Sequence, residues 1–121
     1  MKNKTENQQM VQAMEEKFGD AMPRSIEYIA ALFPESLALQ RASSTDSMYD
    51  PNSPFEQKTK TLIYLSAALA TNNQVCIKAQ FTAALSQGAT KEEIIAVVKI
   101  VRHAASSGTY GNAEYILENL M

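Results

Sequence analysis

Residues 72–94 read N-N-Q-V-C-I-K-A-Q-F-T-A-A-L-S-Q-G-A-T-K-E-E-I, and the fold turns on how that string is read. Helical spacing places Asn73, Cys76 and Gln80 at i−3, i and i+4, on one face. Asn72-Asn73 suits a tight turn into this helix. Gly88 suits the position just past its end, where a left-handed residue closes the last turn. Thr90 and Glu93 then form a T-x-x-E capping box ahead of Ile94-Ile95, so another helix starts there. The inward candidates Cys76, Ala79, Ala83 and Ala84 are mostly small, which lets helix axes approach closely. Upstream, Leu62, Leu65, Ser66 and Leu69 recur at helical spacing within a helix from about Pro54 to Thr71. The two segments, joined by the Asn turn, predict an antiparallel helix hairpin.

Outward from that hairpin every segment reads as helix. Residues 1–8 are polar and are expected as a frayed tail, while Met10, Met14 and Phe18 mark one helical stripe. Pro23 suits the start of a second helix lined by Ile26, Ile29, Ala30 and Phe33. Pro34 stops it and opens a third, with Leu37 and Arg41 one turn apart. The Ser-, Asp-, Asn- and Pro-rich run 43–54 predicts a break, since such side chains bond their own backbone. After the capping box, Ile94, Val97/Val98 and Val101 predict a buried face reaching about Ala105. Ser106-Ser107-Gly108 predicts an interruption, and a last helix from Tyr110 is expected to bury Ala113, Ile116, Leu117 and Leu120. No stretch alternates long enough to argue for a strand. The expected fold class is all-α.

With 121 residues and 45% apolar side chains, the chain is expected to form one globular domain over 1–121. A net charge of −2 with scattered Lys and Arg excludes an electrostatic case for nucleic acid. The apolar run Leu62–Ala70 is too short to span a bilayer, so no membrane partner is expected. The start M-K-N-K-T-E-N-Q-Q has no apolar run, and a lone cysteine forms no internal disulfide; a reducing, cytoplasmic setting is expected. One Cys and one His make no three- or four-ligand metal site. Met10, Met14 and Met22, like Tyr110 and Tyr115, read as core or subunit contacts rather than a cofactor box.

The string 72–85 and the G-A-T-K-E-E-I at 88–94 resemble the carboxymuconolactone decarboxylase/alkylhydroperoxidase D (AhpD) superfamily. The resemblance covers about 54–108, with P-E-S-L at 34–37 and Gly108 before T-Y-G-N-A-E-Y as weaker support. It implies an AhpD-like helical domain whose core is that 54–108 segment, assembled as a homo-oligomer, a trimer or hexamer. It implies no metal or organic cofactor. Redox members carry Cys-x-x-Cys-x-x-x-His here, with a glutamate on the preceding helix. In this chain the first cysteine position is Asn73, the second Cys76, the histidine position Gln80, and the glutamate position Thr61 in K-T-K-T-L-I. The motif is degenerate, because neither threonine nor glutamine takes a proton near neutral pH.

Three functions follow as expectations. The first is the inherited thiol peroxidase, a peroxiredoxin-type antioxidant oxidoreductase with Cys76 as its single catalytic group and an external thiol as reductant. The second is a non-catalytic oligomeric protein that binds a small molecule in the inherited pocket, with Thr61, Asn73 and Gln80 around it. The third is a cofactor-free decarboxylase acting on a small carboxylic acid, with Arg102 as the cation and His103 as the acid. Read as residues alone, Cys76 also fits an inert, packed thiol, His103 an ordinary imidazole, and Arg102 a salt-bridge partner.

Overall fold

The computed structural model describes residues 5–121. Seven helices and no strand occur among these residues, the all-α class that the spacing predicts. In chain order they are α1 Glu6–Phe18, α2 Ser25–Leu32, α3 Leu37–Asp46, α4 Gln57–Ala70, α5 Gln74–Ser86, α6 Lys91–Asn112 and α7 Glu114–Leu120. Short 3-10 turns at Gly19–Ala21 and Pro34–Ser36 link the first three.

The α4–α5 pair is the centre of the molecule. Asn72 adopts φ 54, the left-handed turn conformation that asparagine tolerates, and reverses the chain between them. Asn73 caps α5 by accepting the Cys76 backbone N–H at 3.2 Å. Ala79, Ala83 and Ala84 on α5 are buried, and so are Thr61, Leu65 and Ala68 on α4. The buried stripe of α4 is therefore 61/65/68; of the predicted face, Leu65 belongs to that stripe, and Leu62, Ser66 and Leu69 are half-buried beside it. Gly88 ends the helical region at φ 88, where nothing crowds a side chain; only the backbone angle favours glycine.

Neighbours follow a simple order. The α1–α3 layer packs on α5 through α1 and the Gly19–Ala21 turn, α5 packs on α4, α4 on α6, and α6 on α7. The main buried cluster joins Phe18, Ala21, Met22, Ile26 and Leu37 to Ala79 and Ala83. Much of the core thus lies upstream of the 54–108 segment that the resemblance singles out. The reason is geometric: α5 has a second buried side, and α1–α3 cover it. Burying a side chain such as Leu37 contributes roughly 1.5–3 kcal/mol.

Local signals at the helix starts are legible in the structure. Thr90 and Glu93 form the predicted capping box, at 3.0 and 3.1 Å, and Glu93 also pairs with Lys58 at 3.1 Å, tying α6 to α4. Residues 5–8, expected within a frayed tail, are the cap and first turn of α1: Thr5 and Gln8 form a second capping box. Residues 1–4 of that tail lie outside the described residues. Two further expectations change in the C-terminal third. α6 runs through Ser106-Ser107-Gly108 without interruption to Asn112, and the break falls at Ala113. The Ser106 hydroxyl donates to the His103 carbonyl at 3.0 Å, and one mid-helix glycine costs only about 1 kcal/mol. Of the residues expected inside, Ile94, Val97, Val101 and Ala113 are half-buried, while Val98, Ile116, Leu117 and Leu120 are exposed in the protomer. Among the described residues α6 packs mainly on α4 and α7, and much of its surface stays exposed.

Candidate functional site

The α1–α3 layer does not close fully over the start of α5, and a cavity of about 770 Å³ lies between them. That volume is within the range of small-molecule sites. Cys76, Val75, Ala79 and Gln80 of α5, its cap Asn73 and Tyr64 of α4 form one wall. Met10, Met14, Phe18, Ile26, Ile29 and Met48 supply an apolar wall from the N-terminal layer. Among the residues lining the cavity are two cations, Lys17 and Arg41, and no Asp or Glu.

Cys76 is a free, half-buried thiol in the first turn of α5. Its sulfur lies 3.3 Å from the Tyr64 hydroxyl. Tyr64 occupies the face of α4 turned to α5, one turn beyond Thr61. Burial is the main reason its phenol is pushed up from the usual 10 to about 12, with the Cys76 hydrogen bond and the Cys76 charge adding to it. Near neutral pH the phenol therefore keeps its proton and can donate it toward sulfur.

Gln80, one turn beyond Cys76, is 6% exposed, and its Oε1 accepts no hydrogen bond. Thr61 is fully buried and its Oγ1 likewise has no partner. Both are acceptors without a donor in a place where desolvation costs free energy. Gln80 borders the cavity; Thr61 is behind the wall. Asn73 borders it too, with its side-chain oxygen engaged as the α5 cap.

On the opposite side Lys17 donates to the Tyr49 hydroxyl. Its ammonium lies 4.8 Å from the Tyr49 ring centroid and 5.1 Å from that of Phe18, in cation–π range. Arg41 is engaged elsewhere, with Glu6 at 3.0 Å and with Asn7.

The structure therefore brings Cys76, Asn73 and Gln80 together as the spacing predicts, with Thr61 in the layer behind. It does not bring Arg102 or His103 to them. Both are exposed on α6, across α4 from the cavity, and neither lines it. The sequence reading missed Tyr64, Lys17 and Tyr49. For Tyr64 a signal existed, because i+3 from Thr61 is the same helix face. For Lys17 and Tyr49 none existed, since their positions depend on how distant helices pack.

Among the described residues no group of His, Cys, Asp and Glu could hold a metal ion. No helix among them is long and apolar enough to cross a membrane. A sequence model of the carboxymuconolactone decarboxylase family matches residues 34–118. No curated protein matches the chain.

Proposed function

This chain belongs to the carboxymuconolactone decarboxylase family, and on that footing we propose that it reduces organic hydroperoxides through the single thiol of Cys76. The observation that carries the reading is the contact between the Cys76 sulfur and the Tyr64 hydroxyl, 3.3 Å, at the wall of an apolar cavity. Thiol chemistry on a peroxide needs a nucleophilic sulfur, room for the peroxide and a proton for the departing oxygen. Thr61 and Gln80 cannot move a proton. Tyr64 can.

In the proposed step the Cys76 thiolate attacks the terminal oxygen of the hydroperoxide. The S–O bond forms, the O–O bond breaks, and the alkoxide takes a proton from Tyr64 and leaves as the alcohol. Solvent reprotonates the phenolate. Sulfur is oxidised to the sulfenic acid and the peroxide is reduced. An external thiol then condenses with the sulfenic acid, releasing water and leaving a mixed disulfide, which a second thiol reduces. A reducing, cytoplasmic setting would supply those thiols.

The competing reading is a cavity that only binds a small molecule, favoured by the unpartnered oxygen of Gln80. Trapping decides between them. After treatment with cumene hydroperoxide, dimedone should label Cys76, and Cys76→Ser should abolish both labelling and thiol-dependent peroxide consumption. An unlabelled Cys76 in the folded protein would overturn the peroxidase reading. Decarboxylation through Arg102 and His103 has no support from the cavity, which neither residue lines.

The same proposal includes a homo-oligomer built on α6 and α7. Support comes from Val98, Ile100, Ile116, Leu117 and Leu120, all at least 51% exposed on neighbouring helices.

A further inference from the structure

A cavity that admits an apolar molecule would ordinarily show no charge preference, but this one has a sign. The chain carries 13 acidic and 11 basic residues, yet the cavity lining has only the cations Lys17 and Arg41. Arg41 is already matched with Glu6. Among the described residues Lys17 has no carboxylate partner; its contacts are the Tyr49 hydroxyl and the faces of Phe18 and Tyr49. An ammonium has three N–H donors, and Tyr49 uses one. The ring contacts fix the ammonium without neutralising it.

Gln80 supplies a second, independent pointer to a ligand. It is more than nine-tenths buried, lines the same cavity, and has a carbonyl oxygen that no group among the described residues satisfies. A small rotation of the Gln80 amide would turn that oxygen toward a ligand O–H beside Cys76, and the terminal O–H of a hydroperoxide is such a donor.

We propose that the occupant is an amphipathic carboxylate: a hydroperoxide with an apolar body and a carboxylate that pairs with Lys17. The body lies against Met10, Met14, Phe18, Ile26 and Ile29, and the peroxide end meets Gln80, Tyr64 and Cys76. Lys17 is then a specificity-determining residue. The inference rests on the peroxidase reading of the cavity and names its substrate class. A carboxylate in this partly desolvated place gains both Coulomb attraction and a charge-assisted hydrogen bond. The same tail ending in an alcohol gains neither.

The test separates binding from chemistry. Calorimetric titration of the full chain with octanoate and with octanol, without peroxide, reads the carboxylate preference directly. Octanoate is expected to bind at least about tenfold tighter than octanol, a difference of about 1.4 kcal/mol. Lys17→Met should bring the two affinities together, and Lys17→Arg should keep them apart. Circular dichroism confirms that the variants fold. Equal affinities in the wild-type protein, or discrimination that survives in Lys17→Met, would overturn the proposal. If octanoate fails to bind while cumene hydroperoxide still oxidises Cys76, the substrate class is wrong and the peroxidase reading stands. If octanoate binds through Lys17 but no peroxide oxidises Cys76, the carboxylate site stands without the peroxidase, and the hydroperoxide assignment falls.

Discussion

The Tyr64 hydroxyl and the Cys76 sulfur meet at 3.3 Å across the seam between α4 and α5. The two residues are 12 apart in sequence, on opposite arms of one helix hairpin, so the turn at Asn72-Asn73 sets their distance. Desolvation keeps the phenol neutral, and a neutral phenol is a donor. Under the proposed reading this contact supplies a proton donor, a role that Thr61 and Gln80 cannot fill near neutral pH.

Tyr64→Phe keeps the ring and removes the donor. Hydrogen bonds to charged groups contribute about 1.5–3 kcal/mol. The rate at which hydroperoxide oxidises Cys76 should therefore fall between about tenfold and about a hundredfold. Timed quenching with dimedone and mass spectrometry measures it, and an unchanged rate would reduce Tyr64 to a packing residue.

The raised Tyr64 value has a consequence for stability at alkaline pH. The folded phenol holds its proton to about 12, whereas the unfolded one releases it near about 10. The contribution is complete below about pH 10 and is lost as pH rises toward about 12. Urea midpoints for the wild type should drop across that window. Those of Tyr64→Phe should drop less, and parallel curves would refute the assignment.

Thr61→Val replaces a fully buried hydroxyl that has no partner with a methyl of similar shape. Removing an unsatisfied buried group relieves its desolvation cost, so the variant should be about 1 kcal/mol more stable than wild type. A denaturant titration reads the shift. A loss of stability would mean that the hydroxyl has a partner, such as a water.

The exposed apolar face on α6 and α7 predicts self-association. Leu117, 51% exposed, can take a charge without disturbing the core of its own protomer. Leu117→Glu should reduce the mass seen by light scattering to that of one chain and leave the helical signal intact. A wild-type protein that is already monomeric at micromolar concentration would exclude this interface.

How much of this was legible beforehand depends on the range of each signal. The capping box at Thr90 and Glu93, the Asn72-Asn73 turn, Gly88 and the alanine stripe of α5 each act within about one helical turn. Those features were readable from spacing alone. The Thr5–Gln8 box was equally local, but the polar composition of the first residues obscured it. Ser106-Ser107-Gly108 misled in the other direction. Its residues are weak helix formers, but the helix around them is long enough to carry their cost.

The chain's local pattern was enough to establish helices, the hairpin, and the shared face of Asn73, Cys76 and Gln80, because i, i+3 and i+4 neighbours meet wherever a helix forms. It could not establish that Lys17 and Tyr49, 32 residues apart, would touch and wall one side of the cavity. Nor could it establish that Arg102 and His103 would lie outside the cavity that Cys76 lines, or that Leu117 and Leu120 would remain exposed in the protomer. Those outcomes follow from which helix packs on which: α5 is covered on two sides and α6 on few. Packing between distant segments leaves no period in the sequence, so these relations come from the folded chain.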